Sequence, residues 1–325
     1  MPLLSVVTPV YNMSGFIYNC VNSILNQTFK DFELLLIDDG STDGSSKICD
    51  DFALLDNRVK VVHKTNGGLA SALNAGIDHS IGKYIVFVDS DDFIRLEALE
   101  WLVDAAVDHC AEMAVFELQR GSDNHCVWEN PTSTVYECSG LELIKNSLIG
   151  KSGKSWMLHG KIFSRSCFNN TRFPDGRIYE DNSTVYKILY QLDKVVCSDD
   201  TVYYYYTNPE GIVNSTFSLK HLDYLLVLEE MIEFFTNHHE SELLDWAHKS
   251  YLYSLADMYR KVHENCSEPS VEAELKRKLL AQYKQEKEKY PINMETYPSV
   301  IEVLKPTYAK LYWQSKALKQ KLTGK

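Results

Sequence analysis

Short apolar runs alternate with amphipathic stretches over the first hundred residues of the chain. Four of the apolar runs predict strands, at 3–8, 32–37, 59–63 and 84–88. Between the first two strands, the residues from Phe16 to Leu25 place their apolar members on one helical face. A further helix is predicted over 69–79. Strands that alternate with helices are typical of a mostly parallel sheet covered on both faces, so we predict an α/β fold.

The pattern changes along the rest of the chain. The region up to about residue 217 predicts further strands and helices, with strands at 113–118, 195–197 and 202–206 and helices at 96–107, 139–149 and 181–192. Beyond it, long helical periodicity predicts an all-helical region, with helices at 219–238, 241–264, 270–289 and 297–321. We therefore predict two domains, 1–217 and 218–325.

Length, composition and charge indicate a globular protein of about two domains. The 325 residues suffice for about two domains, and 45% apolar with 24% charged residues is typical of a globular protein. A net charge of −12 argues against a nucleic acid partner. Because no apolar run reaches the length of a membrane span and no basic secretory signal opens the chain, we expect a cytoplasmic protein.

Polar residues follow all four of the first predicted strands. The segments are TPVYN at 8–12, DDGSTD at 38–43, NGG at 66–68 and DSDD at 89–92. Ligands of open α/β sheets bind beyond the carboxyl ends of the strands, so we expect these segments to line one site. The alternative for 38–43 is a turn and helix cap, since Asp, Gly and Ser all favour turns.

The acidic cluster formed by Asp89, Asp91 and Asp92 predicts a cation site. Three carboxylates within four residues repel one another unless a cation lies between them. Mg²⁺ and Mn²⁺ prefer carboxylate and water ligands and commonly bridge one or two Asp to a diphosphate. The alternative is a solvated loop that caps the next helix.

These segments together resemble the family 2 glycosyltransferases, which have the GT-A fold. The residues that carry the resemblance are SVVTPVYN (5–12), DDGSTDGS (38–45), NGGLASALNAGI (66–77), FVDSDD (87–92) and YED (179–181). The resemblance covers about residues 3–215 and fades in the helical remainder. It implies a Rossmann-like, mostly parallel sheet with flanking helices, followed by the helical domain.

The resemblance also implies how a UDP-sugar donor is bound. Thr8, Pro9 and Tyr11 are expected to line the uridine pocket, and Asp39 is expected to form a hydrogen bond with the uracil. Asn66 is placed among the residues that contact the nucleotide.

The DSDD segment matches the family's DxD motif. The resemblance implies that Asp91 and Asp89 serve the metal, that Asp89 and Ser90 also support the ribose and sugar, and that Asp92 touches the donor sugar. Mn²⁺ or Mg²⁺ is the implied cofactor. Relatives often carry Arg where this chain has Leu73, so a cationic contact from that helix is expected to be absent.

A base is needed for the attacking hydroxyl, and the resemblance implies Asp181 with Glu180 beside it. Their predicted position at a helix N-terminus favours the ionised form that a base requires. The alternative is the ordinary enrichment of acids in a first helical turn. His159 is a candidate for completing the metal's ligand shell, and the alternative for it is a structural hydrogen bond.

We interpret the chain as an inverting, metal-dependent hexosyltransferase of polysaccharide or glycoprotein assembly. It would move a hexose or N-acetylhexosamine from a UDP-sugar to a hydroxyl of a glycan, lipid-linked or glycoprotein acceptor. The alternative is a catalytically inactive nucleotide-sugar-binding or scaffold protein on the same fold. The stretch Lys305–Lys325 carries six Lys and no acid, which predicts peripheral contact with the inner membrane leaflet or packing on protein, including across a homodimer.

Overall fold

The chain divides into two compact units, 1–214 and 215–325, close to the boundary predicted at residue 217. The computed structural model describes residues 1–123, 126–132, 134–151, 156–208, 218–266 and 268–290. The assignment of the first unit as the catalytic domain stays a prediction.

The described part of the first unit contains nine strands and six α-helices. The strands are β1 (Leu4–Val10), β2 (Phe32–Asp38), β3 (Val59–His63), β4 (Tyr84–Phe87), β5 (Phe93–Ile94), β6 (Met113–Gly121), β7 (Val135–Cys138), β8 (Lys161–Ser164) and β9 (Val195–Tyr206). The helices are α1 (Ile17–Leu25), α2 (Ser45–Leu55), α3 (Leu69–His79), α4 (Ala98–Asp108), α5 (Gly140–Leu148) and α6 (Glu180–Leu189). The predicted strands and helices up to residue 88 all appear, because each carries its own apolar periodicity.

All nine strands form one sheet in the order β3-β2-β1-β4-β8-β6-β9-β5, with β7 also pairing with β9. The first four strands in this order are parallel, as is β6 with β9. The pairs β4 with β8, β8 with β6, and β9 with β5 and β7 are antiparallel. The α/β class is therefore confirmed, and the sheet is mixed, with its longer ladders parallel. Strands β5, β7 and β8 have two to four residues each, too few to show a sequence period.

The segment 195–206 is one strand, whereas the sequence predicted two. The prediction failed at the polar residues between the two apolar runs. Asp200 accepts hydrogen bonds from the backbone N–H and the hydroxyl of Thr132, at 2.6 and 2.9 Å, and Ser198 donates to the Thr134 carbonyl at 2.9 Å. Since buried polar groups are tolerated when they are hydrogen-bonded, β9 continues without interruption.

The helices pack their apolar faces on the sheet. In α1 the buried positions are Ile17, Cys20, Val21 and Ile24, which is the predicted stripe. Each fully buried aliphatic side chain stabilises the fold by about 1.5–3 kcal/mol. Helix α3 lies so close to β1 that a Cβ at Gly76 would stand 2.2 Å from Cγ1 of Val7.

The second unit is helical in its described part, as predicted. After a short 3-10 turn it contains α7 (Asp223–Asn237), α8 (Ser241–Asn265) and α9 (Pro269–Lys289). Helix α8 packs against both α7 and α9. The predicted helix at 297–321 and the basic stretch Lys305–Lys325 lie outside the described residues. Among the helices that are described, none combines the length and apolar character needed to cross a bilayer.

Candidate active site

The segments that follow β1 and β2 lie together at one edge of the sheet. The side-chain oxygen of Asn12 accepts a hydrogen bond from the Thr42 N–H at 2.8 Å. The Asn12 N–H donates to the Ser41 hydroxyl at 3.1 Å, and the Met13 N–H donates to the Ser45 hydroxyl at 2.8 Å. Asn12 itself has a φ of 53°, a left-handed conformation that Asn tolerates better than most residues. These contacts join the two loops predicted to share a site.

The three residues expected to line a uridine pocket differ in exposure. Pro9 and Thr8 are buried within β1, and Tyr11 is 47% exposed just beyond the strand. The Thr8 hydroxyl is buried without a hydrogen-bond partner among the described residues. A buried polar group of this kind calls for a partner, and a bound ligand or water could supply it. Their role in binding uridine stays a prediction.

Asp39 is buried at the end of β2 and already accepts several hydrogen bonds. The backbone N–H groups of Gly67 and Gly68 donate to its two oxygens at 2.9 and 2.8 Å, and the Lys64 ammonium pairs with it. A carboxylate offers about four acceptor positions. Lys64, Gly67 and Gly68 are three donors, so the expected hydrogen bond from uracil has an acceptor position left, and it stays a prediction. Asn66 is exposed at the same edge.

Asp38 lies beside Asp39 and serves the fold. It accepts hydrogen bonds from the Ser46 hydroxyl at 2.6 Å and the Ser41 N–H at 3.0 Å, and it pairs with Nδ1 of His63 at 2.8 Å. Burial alone would raise the pKa of Asp38, but these donors hold it below its usual range. The hydrogen bonds of His63 to Asp38 and Asp50 raise the pKa of the imidazole.

Beyond β4, three side chains meet that are far apart in sequence. Asp89, Asp92 and His159 each present a ligand atom, and these atoms lie within 4.8 Å of one another. Nε2 of His159 is 2.9 Å from Oδ2 of Asp89. The carboxylate of Asp91 instead accepts a hydrogen bond from Asn208 at 3.2 Å. The predicted metal role of Asp91 stays a prediction, and Asp92 and His159, both already considered from the sequence, are the candidates that lie beside Asp89.

His159 is buried directly before the strand β8. Its Nδ1 has no hydrogen-bond partner in the described part of the chain, and its ring lies 4.9 Å from that of Tyr203. Burial would lower the pKa of His159, but the charges of Asp89, Asp92 and Asp181 outweigh it and raise the pKa to about 9. A solitary His gives little signal in a sequence, and only the fold places it against the acidic cluster.

The acidic residues at this edge act on one another through their charges. Burial and the charge of Asp89 raise the pKa values of both Asp91 and Asp92. Two carboxylates and an imidazole within a few ångströms form a donor set that suits Mn²⁺ or Mg²⁺. The residues therefore fit a divalent cation. Ser90, between the acids, is buried.

Glu180 and Asp181 open α6 as predicted. Oδ1 of Asp181 accepts hydrogen bonds from the backbone and side chain of Asn182, at 2.7 and 2.6 Å, while Oδ2 has no partner among the described residues. Burial raises the pKa of Asp181, while the hydrogen bonds from Asn182 and the charge of His159 act in the opposite direction, and its role as an ionised base stays a prediction. The pKa of Glu180 is raised by burial and by the charge of Asp181. The preceding Tyr179 is strained, with a φ of 64°.

Strand β9 contributes a residue that the sequence predictions missed. The Tyr203 hydroxyl bonds both to Asp92 and to the backbone N–H of Asp89. Tyr203 and Tyr204 are both buried, and the next two tyrosines are half-buried. Two successive rings are buried because each has its own cover. The Tyr204 ring stacks on that of Phe93, with ring centroids 4.5 Å apart, and the Tyr203 hydroxyl bonds to Asp92.

Leu73, where the sequence departs from the family pattern, packs in the core. Leu73 is 1% exposed in α3, so this chain presents an apolar side chain to the core where relatives often carry Arg. No cationic contact comes from that position.

Comparison with known sequences agrees with this arrangement. Residues 5–169 match the profile of the family described as glycosyl transferase family 2. The chain is 31% identical over 229 residues to the glycosyltransferase GlyG of Streptococcus pneumoniae, covering 67% of this chain and 75% of GlyG.

Two solved structures resemble this chain in fold. One is TarS of S. aureus in complex with UDP-GlcNAc, with a TM-score of 0.56 at 20% identity over 93% of this chain and 79% of that chain. Another is the mannosyltransferase PcManGT of Pyrobaculum calidifontis in complex with GDP-Man and Mn²⁺, with a TM-score of 0.52 at 19% identity over 93% of this chain and 86% of that one. The chain therefore belongs to glycosyl transferase family 2, and its first unit has the GT-A fold.

Proposed function

We propose that this glycosyltransferase moves a hexose or N-acetylhexosamine from a UDP-sugar to a hydroxyl of a glycan acceptor, with inversion at the anomeric carbon. One observation carries the proposal. The acids Asp89 and Asp92 meet His159 beyond β4, and the Asp181 carboxylate acts electrostatically on the same imidazole. A charge-neutralising group and a base are thereby available to one reaction.

A divalent cation would be held by Asp89 together with Asp92, His159 or Asp91. When bound, it would act as a Lewis acid that neutralises the departing diphosphate. Mn²⁺ suits the set with His159 better than Mg²⁺, since imidazole is a ligand for transition metals more than for Mg²⁺.

The displacement needs a base on the acceptor side. The acceptor oxygen forms a bond to the anomeric carbon while the bond from that carbon to the β-phosphate oxygen breaks, and UDP leaves with the bonding pair. The acceptor proton passes to Oδ2 of Asp181, the oxygen that accepts no hydrogen bond from the described residues. Burial and the charge of Asp181 raise the pKa of Glu180 to about 8, so in this proposal Glu180 holds a proton while Asp181 accepts the one from the acceptor.

The donor is a UDP-sugar rather than a GDP-sugar in this proposal. TarS was solved with UDP-GlcNAc, and it resembles this chain slightly more than PcManGT does, which was solved with GDP-Man. The pocket around Thr8, Tyr11 and Asp39 would receive the uracil.

A donor panel tests the proposal directly. UDP-glucose, UDP-galactose, UDP-GlcNAc, UDP-GalNAc and GDP-mannose are incubated with Mn²⁺, with Mg²⁺ or with a chelator, and nucleotide release is measured with and without glycan acceptors. We expect metal-dependent UDP release from at least one UDP-sugar, and loss of that release in Asp89→Asn. Tight UDP binding without any turnover would instead favour the inactive nucleotide-sugar-binding protein.

The acceptor and its location extend the proposal. We infer that the acceptor is a growing surface glycan, lipid-linked or carried on protein, and that the six Lys of Lys305–Lys325 hold the enzyme at the inner leaflet near it. The competing possibility is that this stretch packs on protein, including a second copy of the chain, and vesicle flotation distinguishes the two.

A further inference from the structure

Helix α3 holds the segment that leads into α6 by a paired set of hydrogen bonds. Nδ2 of Asn74 donates to the Phe173 carbonyl at 2.9 Å, and Oδ1 of Asn74 accepts from the Phe173 N–H at 3.0 Å. One side chain thus binds both polar groups of a residue that lies 99 positions later in the chain. Such a two-point contact fixes orientation as well as distance.

The ring of Phe173 is held by contacts with other aromatic rings. It is 2% exposed and packs edge-on against Phe87, with ring centroids 5.8 Å apart. Phe87 is the last residue of β4 and lies two positions before Asp89. Phe173 is therefore fixed between α3 and the strand that delivers the acidic cluster.

Helix α3 is itself immobilised at the substrate edge of the sheet. Gly76 packs directly against Val7 of β1. Just before the helix, the N–H groups of Gly67 and Gly68 bind the Asp39 carboxylate. Asn74 is consequently a rigid support on the same elements that line the expected nucleotide pocket.

The path from Phe173 to Asp181 is short and contains two constrained residues. Gly176 and Tyr179 have φ values of 81° and 64°, so the segment turns sharply before α6 begins at Glu180. A shift of Phe173 would be transmitted to the first turn of α6. A displacement of about 1 Å at a reacting group can reduce a rate by 10²-fold.

We propose that Asn74 is a positioning residue for the base Asp181. It acts through the backbone of Phe173, whose place sets where the first turn of α6 stands relative to His159 and the acids. The inference rests on the proposed function for its kinetic consequence, whereas its structural consequence can be measured without turnover.

The kinetic test uses two variants and a control on the same helix. Asn74→Ala removes both hydrogen bonds, and Asn74→Asp keeps the shape but loses the donor to the Phe173 carbonyl. Asp78→Asn is the control, because Asp78 lies one turn further along α3 and contacts the neighbouring Arg172 at 2.8 Å through an exposed pair. We expect kcat for transfer to fall by on the order of 10²-fold in both Asn74 variants. The donor KM and the Kd for UDP should stay within about twofold, and Asp78→Asn should leave all three unchanged.

The structural test is amide hydrogen exchange on the same proteins with UDP bound. We expect faster exchange over residues 174–181 in the Asn74 variants, with unchanged exchange over 84–92. Slow exchange over 174–181 in both variants would overturn the proposal whether or not the enzyme turns over.

The outcomes separate this inference from the proposed function. Normal kcat in Asn74→Ala beside an active wild type would overturn the role of Asn74 and leave the transferase standing. Parallel losses of kcat, UDP affinity and melting temperature would also overturn it, since they indicate a general structural role. If the wild type is inactive but the variants exchange faster over 174–181, the proposed transferase activity is rejected, whereas the structural link between Asn74 and α6 is supported.

Discussion

The Tyr203 hydroxyl donates a 2.5 Å hydrogen bond to Oδ2 of Asp92 across 111 residues of sequence. The hydroxyl oxygen of Tyr203 also accepts a hydrogen bond from the Asp89 N–H at 3.1 Å, and the Tyr206 N–H donates to Oδ1 of Asp92 at 2.8 Å. The acidic loop after β4 is therefore held by β9. Because Asp92 is buried, its charge depends on these donors and on any cation that binds there.

Removal of the Tyr203 hydroxyl should lower stability. Tyr203→Phe removes the donor to Oδ2 of the buried Asp92 and the acceptor of the Asp89 N–H, so the free energy of unfolding should fall by about 1–3 kcal/mol. Urea denaturation measures it. Tyr205→Phe is the matched control, because the Tyr205 hydroxyl bonds to no described residue, and it should change stability by less than about 0.5 kcal/mol. Equal effects of the two substitutions would contradict the role of Tyr203.

Metal affinity should identify the ligands of the cation. We expect Asp89→Asn to weaken Mn²⁺ binding in the presence of UDP by at least about tenfold, since loss of an outer partner alone costs 10–100-fold. Parallel titration calorimetry of Asp91→Asn, Asp92→Asn and His159→Gln would decide which of them complete the set. Asp104→Asn, an exposed acid on α4, is the control and should bind Mn²⁺ normally. Unchanged affinity in Asp89→Asn would exclude a metal at this cluster.

The base should be separable from nucleotide binding. Asp181→Asn removes the proton acceptor and should reduce kcat by about 10²–10⁴-fold, the usual contribution of a positioned general base. The Kd for UDP should not change. Glu180→Gln, whose amide resembles the protonated form of Glu180, should lose much less activity. Near-normal turnover in Asp181→Asn would remove Asp181 from the role.

The pair between His63 and Asp38 should make stability depend on pH. The folded-state pKa of His63 is raised above the usual 6.5, so its contribution is fully present below about pH 6.5 and is lost as pH rises through the raised value. His63→Gln should therefore destabilise the protein more at about pH 5.5 than at about pH 9. Since the His63 side chain is 47% exposed, the difference should stay below about 1 kcal/mol. An equal loss at both pH values, measured by urea denaturation, would contradict the assignment.

The basic stretch should bind anionic membranes. Each Lys near such a surface contributes about 1 kcal/mol, so the full chain should float with phosphatidylserine vesicles and remain behind with phosphatidylcholine alone. A chain that ends at residue 304 should not float with either. Equal flotation of the two chains would show that the membrane contact does not come from Lys305–Lys325, and a monomeric mass only for the shorter chain would favour packing across a dimer.

Much of the first unit could be predicted from local pattern. The strands β1 to β4 and the helix α3 carry apolar residues at their own periods, and the residues that follow each strand were expected to meet at one edge. The pairing of the loops after β1 and β2 and the position of Asp181 in the first turn of α6 agree with that expectation. Local periodicity suffices here because each element buries one face of its own sequence.

The sequence alone therefore determined the α/β plan, the helical second region and the acids at the ends of the strands. Only the tertiary structure decided that His159 lies beside Asp89 and Asp92, that Tyr203 holds that loop, and that Asn74 holds Phe173. The physical reason is that each of these contacts joins residues some 70 to 110 positions apart. Their meeting depends on strand order and packing, which no local period encodes.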